Sequence, residues 1–150
     1  MLLYIWRRKR PQGAHGGDYG RIVTLNRLGN SDGNSGAGDF NAETARVCAC
    51  APDRIVVGEV RGPEALSLLK AWNTGHPGGC ATVHANNARA GLTHLEQLIQ
   101  EAVITVPREL IAEAVDIVIH IERVGHGRKI KETSRVEGVE AGRYLMTGID

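Results

Sequence analysis

The sequence predicts an α/β fold that ends in a terminal β-hairpin. Two short β-branched apolar runs, residues 53–60 and 80–85, alternate with segments whose apolar residues recur at helical spacing. A third run, residues 115–122, alternates strictly and is followed by a Gly-containing turn. Strand, helix, strand, helix and hairpin in this order are typical of the second half of an α/β sheet domain.

The first strand and helix of this pattern lie between residues 53 and 75. DRIVVGEV (53–60) is an apolar run bounded by polar residues, as in a buried parallel strand. In the segment that follows, GPEALSLLKAWNTG, Pro63 suits a first helical turn and Gly75 suits a helix stop. CATVHA (80–85) predicts the next strand.

A longer helix, a short helix and a hairpin complete the pattern. Asn86 or Asn87 is predicted to cap a helix whose apolar residues are Leu92, Leu95, Leu98, Ile99 and Ala102. PRELIAEA (107–114) predicts a short helix with proline at its head. VDIVIHIE (115–122) predicts a strand, 124–127 a turn and 128–136 the returning strand.

The first fifty residues differ in composition from the rest. Only residues 20–28 predict a short strand, and residues 29–41 are rich in Gly, Ser, Asn and Asp. Such a polar stretch buries too little apolar surface to offset its ordering entropy, so we expect a loop or disorder there. The sequence therefore divides into 1–50, a doubtful and largely irregular segment, and 51–150.

Composition restricts the classes of function. Hydrophobic residues make up 42% of the 150 residues, and the net charge is +1. This charge gives no general reason to expect direct nucleic-acid binding. Three cysteines argue against a disulfide framework, and no run reaches the roughly 20 apolar residues of a membrane-spanning helix.

Glu59 and His84 are the candidate chemical residues, because each lies near the end of a predicted parallel strand. The carboxyl ends of such strands meet at one edge of the sheet, where α/β folds bind ligands. A carboxylate there can polarise water or help to hold a hydrated magnesium ion, and a histidine can donate a hydrogen bond to a terminal phosphate.

Each residue also has a purely structural interpretation. Glu59 on its own fits a solvated residue at a strand end, and His84 fits a histidine that is hydrogen-bonded to a backbone carbonyl. The helix exit at Thr74, Gly75 and His76 also fits simple C-capping.

The segment from PDRIVVGEVRG to THLEQLIQEA resembles the secretion ATPases of type II and type IV systems, most closely their conjugal-transfer (TrbB-like) branch. The resemblance covers roughly residues 52–136 and implies part of a RecA-like P-loop NTPase core. The resemblance implies that RIVVGEVRG (54–62) is the Walker B segment, with Glu59 as the catalytic acid. It likewise implies that TGHPGGCATVHA (74–85) is the histidine box, with His84 near the γ-phosphate. It also implies supporting positions at Arg61, Thr74 and His76.

The same resemblance implies ATP and Mg²⁺ as ligands and a hexameric ring, formed with itself or with full-length ATPase subunits. It further implies a cytoplasmic location at the inner membrane, through a secretion or conjugation channel. The family activity is ATP hydrolysis that powers conjugal DNA transfer or type IV secretion.

The sequence departs from the family at the phosphate-binding loop. That loop follows G-x-x-x-x-G-K-[ST], and this chain contains no Gly-Lys pair. We therefore expect a fragment with weak or absent ATPase activity, and no nucleotide-binding lysine can be assigned.

The segment RVCAC before Pro52 suggests a further hypothesis. A one-base shift of GC-rich codons for alternating arginine and leucine gives Val-Cys-Ala-Cys-Ala, so residues 1–50 are a possible frame-shifted remnant.

Two other interpretations remain open. Cys48, Cys50, His76, Cys80 and His84 supply zinc-type ligands, but Pro77-Gly78-Gly79 prevents the helix that would align the last three. No metal site is therefore assigned. The chain is alternatively a non-catalytic interaction module or an inert gene fragment. In that case the strand at 53–60 is expected to expose an apolar edge.

Overall fold

The computed structural model of the chain describes residues 2–6, 22–25, 52–74, 76 and 78–149. These residues form seven strands and three helices. In chain order they are β1 (Leu2–Trp6), β2 (Ile22–Leu25), β3 (Arg54–Val57), α1 (Glu64–Asn73), β4 (Cys80–His84), α2 (Ala88–Gln100), α3 (Arg108–Ala114), β5 (Ile117–Val124), β6 (Gly127–Glu140) and β7 (Arg143–Gly148).

All seven strands belong to one mixed sheet with the order β2-β3-β4-β1-β5-β6-β7. Strands β2, β3 and β4 are parallel, and β1 runs antiparallel between β4 and β5. The carboxyl ends of β2, β3 and β4 therefore lie at one edge, which we call the site edge. The carboxyl end of β1 lies at the opposite edge, because Trp6 pairs with Cys80 and Leu2 with His84.

The three helices cover one face of the sheet and form the core with it. Most strand residues on this face are aliphatic and buried, as expected where helices pack on a sheet, and His120 and Ser134 are buried polar exceptions. Trp72 of α1 is fully buried, and its indole Nε1 donates a 3.2 Å hydrogen bond to the carbonyl of Ile55. The largest fully buried side chains are Trp72, Ile5, Ile55, Leu68, Leu69, Leu92, Leu95, Ile99, Ile111 and His120.

The other face of the sheet, which we call the open face, carries Tyr4, Trp6, Val56, Cys80 and Ile119 among others. Within the described ranges, no helix packs against this face. Several of its apolar side chains are therefore exposed, including Trp6 at 43%.

The structure confirms the predicted strands of the second half, the two main helices and the hairpin. Pro63 lies at the N-cap of α1, one position before the first helical turn in which it was predicted. Of the two predicted candidates, Asn87 caps α2. The short strand predicted within 20–28 is β2. Two strands were missed: β1 in the middle of the sheet and β7 at its end. The rest of residues 1–50, including the polar stretch 29–41, lies outside the described residues.

The expectation of an exposed edge at residues 53–60 is wrong. Strand β3 is paired on both sides, because β2 lies parallel to it with Val23 opposite Ile55. The apolar surface that is exposed is a sheet face and not a strand edge.

Candidate functional site

Glu59 is held at the site edge by backbone hydrogen bonds of its two neighbours in sequence, Gly58 and Val60. The Gly58 amide donates to the Leu25 carbonyl at 2.7 Å, and the Val60 amide donates to the Thr82 carbonyl at 2.9 Å. The Thr82 hydroxyl donates to the Gly58 carbonyl. Because these bonds extend the pairing of β2, β3 and β4 beyond the end of β3, the direction of the Glu59 side chain is fixed.

The Glu59 carboxylate lies between a guanidinium and an imidazole. One oxygen, Oε2, is 2.7 Å from the guanidinium of Arg61, and the other, Oε1, is 2.7 Å from Nε2 of His84. The Glu59 side chain is 16% exposed, whereas those of Arg61 and His84 are about half exposed. The acid and the histidine predicted to meet at one sheet edge are therefore in direct contact.

This environment favours the ionised form of Glu59. The hydrogen bond from Arg61 lowers the pKa of the Glu59 carboxyl, against an opposing effect of partial burial, and His84 lowers it further. The same contact raises the pKa of the Arg61 guanidinium. A carboxylate of this kind accepts hydrogen bonds from water well but takes up a proton less readily than an ordinary glutamate.

Glu64 positions Arg61 and was not singled out in the sequence. Its Oε1 accepts hydrogen bonds from the backbone amides of Arg61, at 3.0 Å, and Gly62, at 2.9 Å. The side chain is buried in the first turn of α1. Its position directly after Pro63 is the available signal, because acidic residues are common in first helical turns.

The amino terminus of α2 lies next to His84. Asn87 caps the helix by accepting from the Ala90 amide at 2.7 Å, and the Glu132 carboxylate accepts from the Ala88 amide at 3.3 Å. A shallow depression of about 270 Å³ is lined here by His84, Ala85, Asn86, Ala90 and His94. It is slightly smaller than the roughly 300–1,000 Å³ of pockets that enclose small molecules. This surface can contact a phosphate group but does not enclose a nucleotide.

Thr74 and His76 make their described contacts elsewhere. The Thr74 hydroxyl donates to the Lys70 carbonyl at 2.8 Å, at the end of α1. Nδ1 of His76 lies 2.6 Å from the carbonyl of Pro52, which precedes β3. Pro52 precedes β3 and Glu59 follows it, so the described contact of His76 lies at the opposite end of this strand from Glu59. A role for Thr74 and His76 at the phosphate site stays a prediction.

The described members of the zinc-type set do not converge. Cys80 and His84 occupy the two ends of β4, and His76 contacts Pro52. Cys48 and Cys50 lie outside the described residues. Within the described part of the chain no three His, Cys, Asp or Glu side chains come together as metal ligands.

Comparison with known proteins identifies the family. Residues 39–140, more than half of the chain, match the family described as Type II/IV secretion system protein. The chain belongs to this family. It is 54% identical over 93 residues to the conjugal transfer protein TrbB of Rhizobium radiobacter. This match covers 62% of the chain and 29% of that relative.

More distant matches agree. The type IV secretion system protein VirB11 of Bartonella quintana is 32% identical over 87 residues, which cover 54% of this chain and 24% of the relative. The crystal structure of the VirB11 ATPase from the Brucella suis type IV secretion system, in complex with sulphate, matches with a TM-score of 0.64 and 22% identity. That match covers 77% of this chain and 41% of the other. It confirms the predicted fold class, part of a RecA-like α/β core.

The chain spans less than a third of the length of the curated TrbB relatives that it matches. It is therefore a fragment-length member of a conjugal-transfer and type IV secretion family. None of the helices in the described ranges is both long and apolar enough to cross a membrane.

Proposed function

We propose that this chain carries the acid-and-histidine half of the nucleotide site of a conjugal-transfer or type IV secretion ATPase. In this proposal Glu59 orients the attacking water and His84 detects the γ-phosphate of Mg²⁺-ATP. The observation that carries it is the contact of Glu59 with both Arg61 and His84 at the site edge. The family membership of residues 39–140 supports the same assignment.

The chemistry depends on an exchange of partners at His84. Nε2 must carry a proton to hydrogen-bond the Glu59 carboxylate, because that oxygen can only accept. A phosphate oxygen arriving at His84 competes for the same N–H group. When His84 turns to the phosphate, Oε1 of Glu59 becomes available to accept a hydrogen bond from water. Phosphate binding and water positioning are thereby linked through one side chain.

The other half of a nucleotide site would have to come from elsewhere. A P-loop follows the carboxyl end of a strand, and its amides and lysine hold the phosphates. Strand β1 ends at Trp6 beside Cys80, away from the site edge. Strand β2 does end at the site edge, but no Gly-Lys pair follows it or occurs elsewhere in the sequence. We therefore expect little or no ATP hydrolysis by the chain alone. A hexameric ring with intact ATPase subunits, docked on an inner-membrane channel, would provide a complete site.

A chimera tests the proposal directly. The residues of the Rhizobium radiobacter relative that precede its match to Pro52 are joined to residues 52–150 of this chain. We expect this chimera to hydrolyse Mg²⁺-ATP. Glu59→Gln should abolish turnover while nucleotide still binds, and His84→Gln, which keeps a donor, should retain more activity than His84→Ala. The relative itself is the matched control. A folded chimera that binds ATP but does not hydrolyse it would show that this half of the site is not functional.

A further inference from the structure

Thr82 is a buried polar residue in the middle of strand β4. It is 8% exposed, and its neighbours in sequence, Ala81 and Val83, are fully buried aliphatic residues. A buried hydroxyl costs free energy unless it forms a hydrogen bond. Valine has nearly the same shape without the hydroxyl and suits a strand at least as well. The hydroxyl of Thr82 is therefore explained by what it contacts and not by the packing of β4.

The hydroxyl and the carbonyl of Thr82 bond to the two neighbours of Glu59. The hydroxyl donates to the Gly58 carbonyl, and the carbonyl accepts from the Val60 amide at 2.9 Å. The regular pairing of β3 with β4 ends at Val57, one residue before Gly58. Thr82 thus continues the contact between the two strands at the point where the regular pairing stops, on both sides of the residue that carries the carboxylate.

The two neighbours of Glu59 are anchored in different ways. Val60 is 1% exposed, so burial of its side chain holds the backbone after Glu59. Gly58 is exposed and has no side chain to bury. Its described anchors are hydrogen bonds, from its amide to the Leu25 carbonyl and from the Thr82 hydroxyl to its own carbonyl. The hydroxyl of Thr82 therefore acts on the side of Glu59 that burial does not hold.

The proposed exchange of partners at His84 requires Glu59 to stay in place. In the structure Oε2 of Glu59 contacts Arg61 and Oε1 contacts His84. When His84 turns to a phosphate, the carboxylate loses one of these two contacts. A carboxylate that then moved would no longer orient a water molecule, because this depends on fixed geometry. Contacts that hold the backbone beside Glu59 fix the carboxylate and leave its oxygens available.

We propose that Thr82 is a positioning residue for Glu59. Its hydroxyl holds the backbone before Glu59, so that the carboxylate stays beside Arg61 when His84 turns away. Thr82 and His84 are two residues apart in β4, and the same strand therefore both holds the acid and contacts it. The meaning of this inference for ATP hydrolysis rests on the proposed function, whereas its test uses no nucleotide.

The pKa of Glu59 in the full chain reports whether the carboxylate keeps its place. The hydrogen bond from Arg61 is the largest influence that lowers this pKa. A carboxylate that moves away from Arg61 therefore returns toward the ordinary pKa of a glutamate. The pKa is measured from the ¹³C shift of the side-chain carboxyl between neutral and acid pH, and the signal is assigned by its loss in Glu59→Gln. His84→Ala provides the state in which His84 has left the carboxylate.

In the His84→Ala chain we expect the pKa of Glu59 to remain below its ordinary value. Adding Thr82→Val or Thr82→Ala should raise this pKa, because both substitutions remove the hydroxyl. Thr82→Ser keeps the hydroxyl and should leave the pKa unchanged. Two variants without the hydroxyl are used so that the result does not depend on the folding of one of them. Thr147→Val is the control, since it makes the same change in β7, at the far end of the sheet.

Two results would overturn the role of Thr82 alone. A pKa of Glu59 that neither Thr82→Val nor Thr82→Ala changes would show that Thr82 only completes the strand. An equal rise in Thr82→Ser would assign the effect to packing of the methyl group and not to the hydroxyl. Either result leaves the proposed function standing, because the contact between Glu59 and Arg61 would still lower the pKa in His84→Ala.

Failure of the proposed function has a different signature. An ordinary pKa of Glu59 in His84→Ala would show that Arg61 does not hold the carboxylate, and it would overturn both proposals. If the chimera binds ATP without hydrolysing it while the pKa responds to Thr82→Val as expected, the proposed function fails and the placement of Glu59 by Thr82 stands.

Discussion

Nε2 of His84 lies 2.7 Å from Oε1 of Glu59, although the two residues follow different strands of the sheet. The contact exists because β3 and β4 are parallel and neighbouring, so their carboxyl ends meet at one edge. Arg61 completes the arrangement from the loop after β3, held there by Glu64. Strand order brings Glu59 and His84 together, and the carboxylate of Glu64 in the first turn of α1 holds Arg61 beside them.

Gly79 is the first position where we predict a large effect on stability. A Cβ atom at Gly79 would overlap the Ile55 carbonyl and the indole nitrogen of Trp72. Gly79→Ala must therefore displace Trp72 and break its hydrogen bond to Ile55. We expect a loss of roughly 1–3 kcal/mol or more in the free energy of unfolding. Urea denaturation measures it. Gly148→Ala, where a Cβ meets nothing within 4 Å, is the control and should be close to neutral.

The cap of α2 gives a second prediction. Asn87→Ala removes the side-chain oxygen that accepts from the Ala90 amide at 2.7 Å. We expect a loss of about 1 kcal/mol in stability, whereas Asn87→Asp should retain most of it because aspartate also caps helices. Chemical denaturation of both variants separates the loss of the cap from a general effect of substitution at this position. An alanine variant as stable as the wild type would contradict the cap.

A third prediction concerns pH and the contact between α2 and α3. Arg108 makes two 2.9 Å hydrogen bonds to the Glu96 carboxylate. Burial raises the pKa of Glu96, but the contacts with Arg108 and Tyr144 together outweigh it, and the net pKa is lowered. A group whose pKa is lower in the folded state stabilises the protein above its ordinary pKa. That contribution is lost as the pH falls through the lowered folded-state value.

Glu96→Gln should therefore lower the melting temperature at pH 7, and the difference from wild type should shrink in acid, below the ordinary carboxyl pKa. Thermal unfolding between pH 3 and pH 7 measures this difference. Glu101→Gln, an exposed substitution just beyond α2, serves as the control for loss of a carboxylate. A difference that is independent of pH would show that the contacts of the ionised Glu96 carboxylate do not stabilise the fold.

The sequence predicted the second half of this fold because each element there carries its own local signal. Pro63 and Asn87 mark helix starts, and the runs in β3 and β4 are apolar and β-branched. Local signals do not determine which strands become neighbours. LLYIW looks like a short apolar terminus, yet it forms β1, whose register is fixed by β4 and β5 on either side.

The candidate site shows the same division. The meeting of Glu59 and His84 follows from parallel strand order, so it could be predicted. The placement of His76 against Pro52 depends on how the chain passes from α1 into β4 through Gly78, whose φ is +87°. That path is set by Trp72 packing against Gly79 and is not visible in the spacing of residues.

The division of the chain at residue 50 stays a proposal, and the coding DNA tests it. If residues 1–50 include a frame-shifted remnant, a shifted frame before the Pro52 codon should encode an arginine- and leucine-rich helix end. Comparison with the genes of the TrbB relatives then locates the shift. If neither alternative frame gives family-like residues, the segment is a divergent but genuine coding region.

Magnesium-dependent ATP turnover by the purified chain tests the central claim most directly, with Glu59→Gln measured in parallel. The claim is that the chain holds Glu59 and His84 in place but lacks the loop that grips phosphates. We predict no turnover above the buffer control and no difference between wild type and Glu59→Gln. Turnover that is abolished by Glu59→Gln would contradict the claim, because the chain would then supply its own phosphate contacts.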